Sequence, residues 1–189
     1  MQINILWSGI EYYSLENCII DFGGGENAVK SIIIGYYHKK IYQVTYVIKL
    51  NREWETNACS VEFQYENKVR KFEFVSDNSR WTLNGAYRAE FDHCTDVDIP
   101  LTPFTNSLPI NRLKLDVGQE KEIDIVYIDL LENNIRHVRQ KYRKLSSGLY
   151  KYENIPNDFE AEIEVDRDGF VVQYPALFTR TARVETDRR

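Results

Sequence analysis

Over much of this chain apolar and polar residues alternate one by one, the period of a strand that turns one face to a core because successive side chains point to opposite sides. Tyr42, Val44, Tyr46, Ile48 and Leu50 alternate with Gln43, Thr45 and Lys49, which predicts one such strand. Val61, Phe63 and Tyr65 alternate with Glu62, Gln64 and Glu66; past a turn at Asn67 and Lys68, Phe72 and Phe74 resume against Lys71 and Glu73, predicting a hairpin. Arg80 to Leu83 runs into Asn84-Gly85, the pair that best tolerates the positive φ angles of a type I′ turn, with Tyr87 and Phe91 continuing in a second hairpin. Leu113, Leu115 and Val117 lead to Gly118-Gln119 and then to Lys121–Ile128, a predicted third hairpin. Phe159, Ala161, Ile163 and Val165 alternate with three glutamates up to Asp168-Gly169, and Phe170 to Tyr174 returns as a fourth.

Two stretches resist this reading. In "NIRHVRQKYRKL" the apolar residues Ile135, Val138, Tyr142 and Leu145 have helical spacing, yet His137, Arg139, Lys141 and Arg143 alternate strictly with Val138, Gln140 and Tyr142. A strand is preferred, since the neighbouring segments are strands and a lone short helix is marginal. The tail "TRTARVETDRR" has no apolar period and is expected to fray beyond about Arg183. No repeat or linker interrupts the chain. One domain over residues 1–189 is therefore expected: an all-β, large antiparallel, incompletely closed barrel or spiral β-roll built from successive hairpins, since closure or near-closure removes exposed strand edges.

Composition narrows the partners. The net charge of -5 and pI near 5.3 argue against nucleic acid, which demands a concentrated positive field. The N-terminal "MQINILWSGIEYY" lacks the basic and long apolar regions of a signal peptide, and no segment approaches the ~20 apolar residues of a membrane span, so no transmembrane segment and a cytoplasmic address are expected. Nothing in the sequence specifies an oligomeric state. Cys18, Cys59 and Cys94 are widely spaced, without a CxxC pair, and read as reduced, mostly buried thiols. Thirteen tyrosines, nine phenylalanines and three tryptophans exceed what a minimal core needs and suggest a lined cavity.

Several constellations invite chemistry. Asp92, Cys94, Asp96 and Asp98 share parity, which in an extended chain puts three carboxylates in a row roughly 6.6 Å apart. A glycosidase needs its carboxyls on opposite sides of the scissile bond, so paired or solvated carboxylates are the preferred reading, and no catalytic residue is assigned. His93 stands near no nucleophile motif and is expected to be packed or hydrogen-bonded. Gly23-Gly24-Gly25 is followed by no Lys-Ser/Thr and reads as a turn or bulge. The basic row His137, Arg139, Lys141, Arg143 is either a grip for an anionic headgroup or simply the solvated side of a strand. No metal ligand set and no cofactor is indicated.

The stretch "CTDVDIPLTPFTNSLPINRLKL" packs three prolines between strand-like runs. Pro100, Pro103 and Pro109 fix φ and remove backbone donors, so the connection cannot join a ladder and must hold one defined path. Thr102, Thr105 and Asn106 are suited to satisfy its stranded backbone groups. Asp98 and Arg112 flank it and are expected to clamp its ends as an ion pair, either purely structurally or as the lip of a site.

That stretch, with "RQKYRKL", "YKYEN" and "FEAEIEVDRDGFVVQYPALF", resembles the bacterial family known as "putative glycolipid-binding", most specifically from Asp98 to Arg112 through the core TPFTN-x-LPI. Matching pieces run from about Trp54 to Phe178. The resemblance implies a spiralled β-barrel or roll with a groove and a glycolipid-like ligand, bound without catalysis. The alternatives are a protein-interaction module with a filled core and a carboxylate enzyme acting on glycoconjugates. It points to Trp54 and Tyr174 as aromatic walls, to Asp98, Phe104, Asn106 and Arg112 in the loop, and to Gln140 and Tyr142 beside it. The family tends to carry a second basic residue before the arginine; here Asn111 stands there.

Overall fold

A computed structural model describes residues 1–23 and 26–186. About 65% of the described residues lie in strands. The first half is a meander: β1 (Gln2–Gly9), β2 (Ser14–Gly23), β3 (Glu26–Tyr37), β4 (Lys40–Leu50), β5 (Thr56–Tyr65), β6 (Lys68–Asp77), β7 (Arg80–Leu83) and β8 (Ala86–Tyr87). The second half comprises β9 (Asp96–Asp98), the helix α1 (Ser107–Leu113), β10 (Glu120–Asp129), β11 (Asn134–Ser146), β12 (Leu149–Ile155), β13 (Glu160–Val165), β14 (Val171–Tyr174) and β15 (Phe178–Thr186). All fifteen described strands form one sheet in the order β8-β7-β6-β5-β4-β3-β2-β1-β15-β14-β13-β12-β11-β10-β9, antiparallel throughout except for β9 beside β10. The two halves are joined by β15 on β1, with Gln2 opposite Thr186 and Gly9 opposite Phe178.

The sheet is rolled but its outermost strands, β8 and β9, are not paired to each other. The roll is held shut by the chain that links those strands. A 3-10 turn at Ala89–Phe91 buries Phe91, the Trp81 indole N–H donates to the Cys94 carbonyl at 2.9 Å, and Thr56 N–H donates to the Thr95 carbonyl at 3.2 Å. The expectation of an incompletely closed antiparallel roll is thus met. Inward parity builds the interior: Ile3, Ile5 and Trp7 of β1, Tyr42 to Leu50 of β4 and Val61 and Phe63 of β5 are buried in a single cluster.

The hairpins of β5–β6, β7–β8 and β13–β14 stand where the alternation predicts them. The first turns at Glu66-Asn67, one residue earlier than expected, both with positive φ. "NIRHVRQKYRKL" is strand, within β11. Four expectations need correction. Phe91 lies in the 3-10 turn rather than a strand. The third hairpin does not form: Leu113 ends α1, Lys114 adopts a left-handed conformation at φ 48°, and strand begins again only at Glu120. The tail does not fray at Arg183, because β15 continues to Thr186 on the backbone ladder of β1. His93 is exposed at φ 77° rather than packed. Gly23 closes β2, while Gly24 and Gly25 lie outside the described residues, as do residues 187–189. Cys18, Cys59 and Cys94 are free and buried, as the spacing suggests.

The proline-rich connection is not on the surface. Residues 101–110 are buried without a break, plugging the interior of the roll. A buried irregular segment must satisfy every backbone polar group locally, which accounts for its constrained composition. Pro103 opens a 3-10 turn at Phe104–Asn106, and Pro109 sits in the first turn of α1, where its missing N–H has no helical partner to lose.

Candidate functional site

The plug is held by named side chains. Thr102 Oγ1 accepts from the Phe104 N–H at 3.0 Å and donates to Glu16 Oε1 at 2.9 Å; Thr105 Oγ1 accepts from the Ile99 N–H at 3.4 Å and donates to Asp98 Oδ1 at 2.8 Å. Both threonines satisfy the loop backbone as expected. Asn106 instead accepts a hydrogen bond from the Tyr142 hydroxyl at 2.9 Å and caps nothing with its side chain. Glu16, on β2, is wholly buried and also accepts from Ser31 and Tyr46, both at 2.7 Å.

The expected clamp between Asp98 and Arg112 is not formed. Arg112 pairs with Asp96, Nη2 to Oδ2 at 2.5 Å and Nε to Oδ2 at 3.2 Å, while Asp98 accepts from Thr105 and, at 2.7 Å, from Gln140. Asp96 and Asp98 share parity. The chain folded through α1 brings Arg112 to the first of them, and the preceding 3-10 turn brings Thr105 to the second. Burial pushes both carboxyl pKa values up, opposed at Asp96 by Arg112 and at Asp98 by the hydrogen bonds from Thr105 and Gln140. Asp92 lies apart, accepting from Tyr87, so the row of carboxylates is dispersed over three environments.

Above the plug lies a cleft of about 250 Å³. Its polar lining includes Asp98 from the end of β9 and Thr102 and Asn106 from the plug, with Asn154 and Glu11 beside them. Its aromatic lining is Tyr12, Tyr127, Tyr152, Phe159, Tyr174 and Phe178. The rings form a chain: Tyr12 to Phe178 at 5.9 Å, Phe178 to Tyr174 at 6.3 Å, and Tyr174 to Tyr152 and Phe159 at 6.3 and 6.4 Å. The two turns on one side are tied together by Ile10 N–H on the Leu177 carbonyl at 2.7 Å, and the Tyr42 hydroxyl reaches the Tyr12 carbonyl at 3.4 Å. Burial first, and the nearby Asp98 carboxylate among the charges, raise the Tyr12, Tyr127, Tyr152 and Tyr174 phenols, which therefore stay protonated and able to donate.

Of the residues singled out from sequence, Asp98, Asn106 and Tyr174 line this cleft. Gln140 and Tyr142 are buried behind it and orient Asp98 and Asn106. The other three lie elsewhere. Phe104 is a core residue stacked on Phe170 at 6.4 Å, and Trp54 packs against Phe22 and Phe170 at 6.1 Å each. Arg112 is spent on Asp96. Asn111 donates to the Ser107 carbonyl at 3.0 Å and fills the space a Cβ on Gly169 would need, so it belongs to the packing of that turn. The basic row on β11 faces outward, with His137, Arg139 and Lys141 paired to Asp124, Glu122 and Glu153, the pattern of a solvated strand face. Sequence reading missed Tyr12, Tyr127, Tyr152, Asn154 and Phe159. For Tyr152 and Asn154 a signal existed in the "YKYEN" segment, and for Phe159 in "FEAEIEVDRDGFVVQYPALF", which it opens; Tyr12 and Tyr127 are gathered only by the fold.

A rolled, unclosed sheet plugged by its own loop, with a tyrosine-lined cleft over the plug, defines an all-β, incompletely closed roll. The family model described as "Putative glycolipid-binding" matches residues 4–180, and the chain belongs to that family. The match extends through the first fifty residues, beyond the segments that carry the resemblance in sequence. A DUF1089 family protein from Pseudomonas aeruginosa, known from a crystal structure at 1.80 Å resolution, is similar at 31% identity with a TM-score of 0.79, over 87% of this chain and 91% of that one. No curated protein matches the chain. No helix among the described residues is long and apolar enough to cross a membrane.

Proposed function

We propose that this protein binds the uncharged sugar headgroup of a glycolipid or similar amphiphile in the cleft above the plug, as a non-enzymatic cytoplasmic binding protein of one domain. The observation that carries this reading is the lining itself: hydrogen-bonding groups at the plug, a chain of aromatic rings on the walls, and no lysine or arginine among the lining residues. Sugar hydroxyls suit Asp98, Thr102, Asn106 and Asn154, and the apolar faces of a sugar ring suit tyrosine. A phosphate or sulfate headgroup would meet Asp98 and Glu11 with no cation to offset them. At about 250 Å³ the cleft lies just below the range of pockets that enclose drug-sized ligands, ~300–1,000 Å³. A headgroup fits inside, and the acyl chain lies across partly exposed Phe159 and Leu177.

Calorimetric titration with short-chain alkyl glycosides below their micelle concentration tests the reading. Saturable heat is expected, weakened by Tyr174→Ala and Asn106→Ala in variants that keep their circular dichroism; loss of one ring contact worth about 0.5–1.5 kcal/mol predicts a few-fold to roughly tenfold weaker Kd. Absence of saturable binding across neutral sugar headgroups, or tighter binding of alkyl phosphates, would overturn it. A second reading, hydrolysis of a glycoconjugate, draws on the presence of Glu11 and Asp98 in the same lining; release of free sugar during that titration would favour it.

A further inference from the structure

The outer face of β2, β3 and β4 departs from the rest of the surface. Elsewhere much of the outward surface carries ladders of opposite charge, Glu62 with Lys71, Glu122 with Arg139, Lys141 with Glu153 and Lys151 with Glu160, and exposed apolar strand residues such as Val69, Val75 and Val184 are scattered among them. An antiparallel sheet with one solvated face is expected to look like that. On β2–β4 the outward positions are instead Leu15, Ile32, Ile34, Tyr36 and Ile41, with Tyr13 stacked edge-on against Tyr36 at 6.4 Å. The register makes them contiguous: Leu15 is opposite Ile34, and Tyr36 opposite Ile41. The residues between them, Asn17, Gln43 and Thr45, are polar but uncharged; the nearest charge on the outer face of β3 is Lys30, one row beyond Ile32.

These six side chains are heavily exposed, from 47% for Tyr36 to 75% for Tyr13. With large side chains offering ~150–250 Å² each, the patch presents on the order of 700 Å² of mostly apolar surface. That exceeds the few hundred Å² that a monomeric protein ordinarily leaves open. It approaches the ~800 Å² per partner of a stable interface.

We propose that this face is the contact between two copies of the chain, packed sheet on sheet about a two-fold axis. An isologous contact brings each patch against itself, and a patch without charge does so at no electrostatic cost even though the chain carries a net charge of -5. A charged substitution near its centre is then duplicated in the dimer and set close to its own copy.

Sedimentation velocity and light scattering over a range of concentrations test this, with Ile34→Asp and, separately, Ile41→Asp. Both side chains point outward, so circular dichroism should be unchanged. The wild-type chain is expected at twice the 22.3 kDa of one copy, and each variant at half the wild-type mass. Ser146→Asp, at the exposed end of β11 and away from the patch, should leave the dimer intact. A wild-type chain that stays monomeric at all concentrations overturns the proposal, as does a dimer that survives both substitutions. Co-flotation of monomeric wild-type protein with phosphatidylcholine vesicles, lost in Ile34→Asp, would overturn it in favour of a lipid surface as the occupant.

Discussion

Replacing Glu16 by glutamine should abolish a loss of stability that the wild-type chain undergoes as pH rises from acid to alkaline. Glu16 lies wholly inside the roll, with Oε1 accepting from Ser31, Tyr46 and Thr102 and Oε2 buried without a hydrogen-bond partner. Burial penalises the charged carboxylate more than three neutral donors recover, and its pKa rises from 4.5 to about 7. Because the folded value lies above the unfolded one, the neutral acid's contribution is complete below about pH 4.5, declines as pH rises, and is gone above about pH 7. At 1.36 kcal/mol per pKa unit the loss is about 3 kcal/mol. Glutamine keeps an acceptor at the Oε1 position and cannot ionise; its buried NH₂ carries a cost that does not vary with pH. The observable is therefore the change in the wild-type-minus-variant stability between pH 5 and pH 8, measured by urea unfolding. It should move by about 2.5 kcal/mol in favour of Glu16→Gln, since part of the loss has already occurred by pH 5. Asp96 and Asp98 also have raised pKa values but are present in both proteins and cancel. A pH-independent difference would refute the neutral carboxyl, and a shift in the opposite direction would mean that the interior stabilises the ion.

Other expectations rest on separate contacts. Arg112→Ala leaves the fully buried Asp96 carboxylate without its cation and should cost about 3–5 kcal/mol in denaturant unfolding, whereas Asp98→Asn, which removes no ion-pair partner, should cost distinctly less. Gly35→Ala should lower the thermal midpoint, because the new Cβ would lie 2.3–2.7 Å from ring atoms of Tyr42, its cross-strand partner; Tyr42→Leu in the same chain should recover part of the loss. Burial pushes the Cys59 and Cys94 thiols up to about 12 and raises Cys18 well above its ordinary value, so all three should resist iodoacetamide at pH 8 and react together once the chain is unfolded.

How far the fold could be read from sequence depended on whether a segment has one buried face. In β4 and β5 alternate side chains are buried, and their period of two is plain. The last residues of β15 are exposed on both faces; they are strand only because the β1 backbone offers a ladder, which composition does not record. Helix α1 is seven residues long and contains Pro109, too short for a helical period to emerge, so Leu113 and Leu115 were open to a strand reading that the left-handed Lys114 excludes. Partner choice at the site was illegible for a different reason. Asp96 and Asp98 have the same parity in the sequence, and only the path of the intervening turns decides which receives Arg112 and which receives Thr105.

The prolines of the plug carried more information than their usual reading suggests. A surface loop leaves its backbone to water and tolerates almost any polar composition. A loop sealed inside a roll cannot, so Thr102 and Thr105 must satisfy the backbone beside them while their hydroxyls also face Glu16 and Asp98. The same residues thereby do two things. Thr102 ties the plug to β2 through Glu16, and with Asp98 and Asn106 it presents polar groups to the cleft. Loosening the plug and altering the cleft are consequently not independent perturbations. A binding defect in a Thr102 variant is evidence about ligand contact only if the Glu16 titration, read from the pH dependence of stability, is left in place.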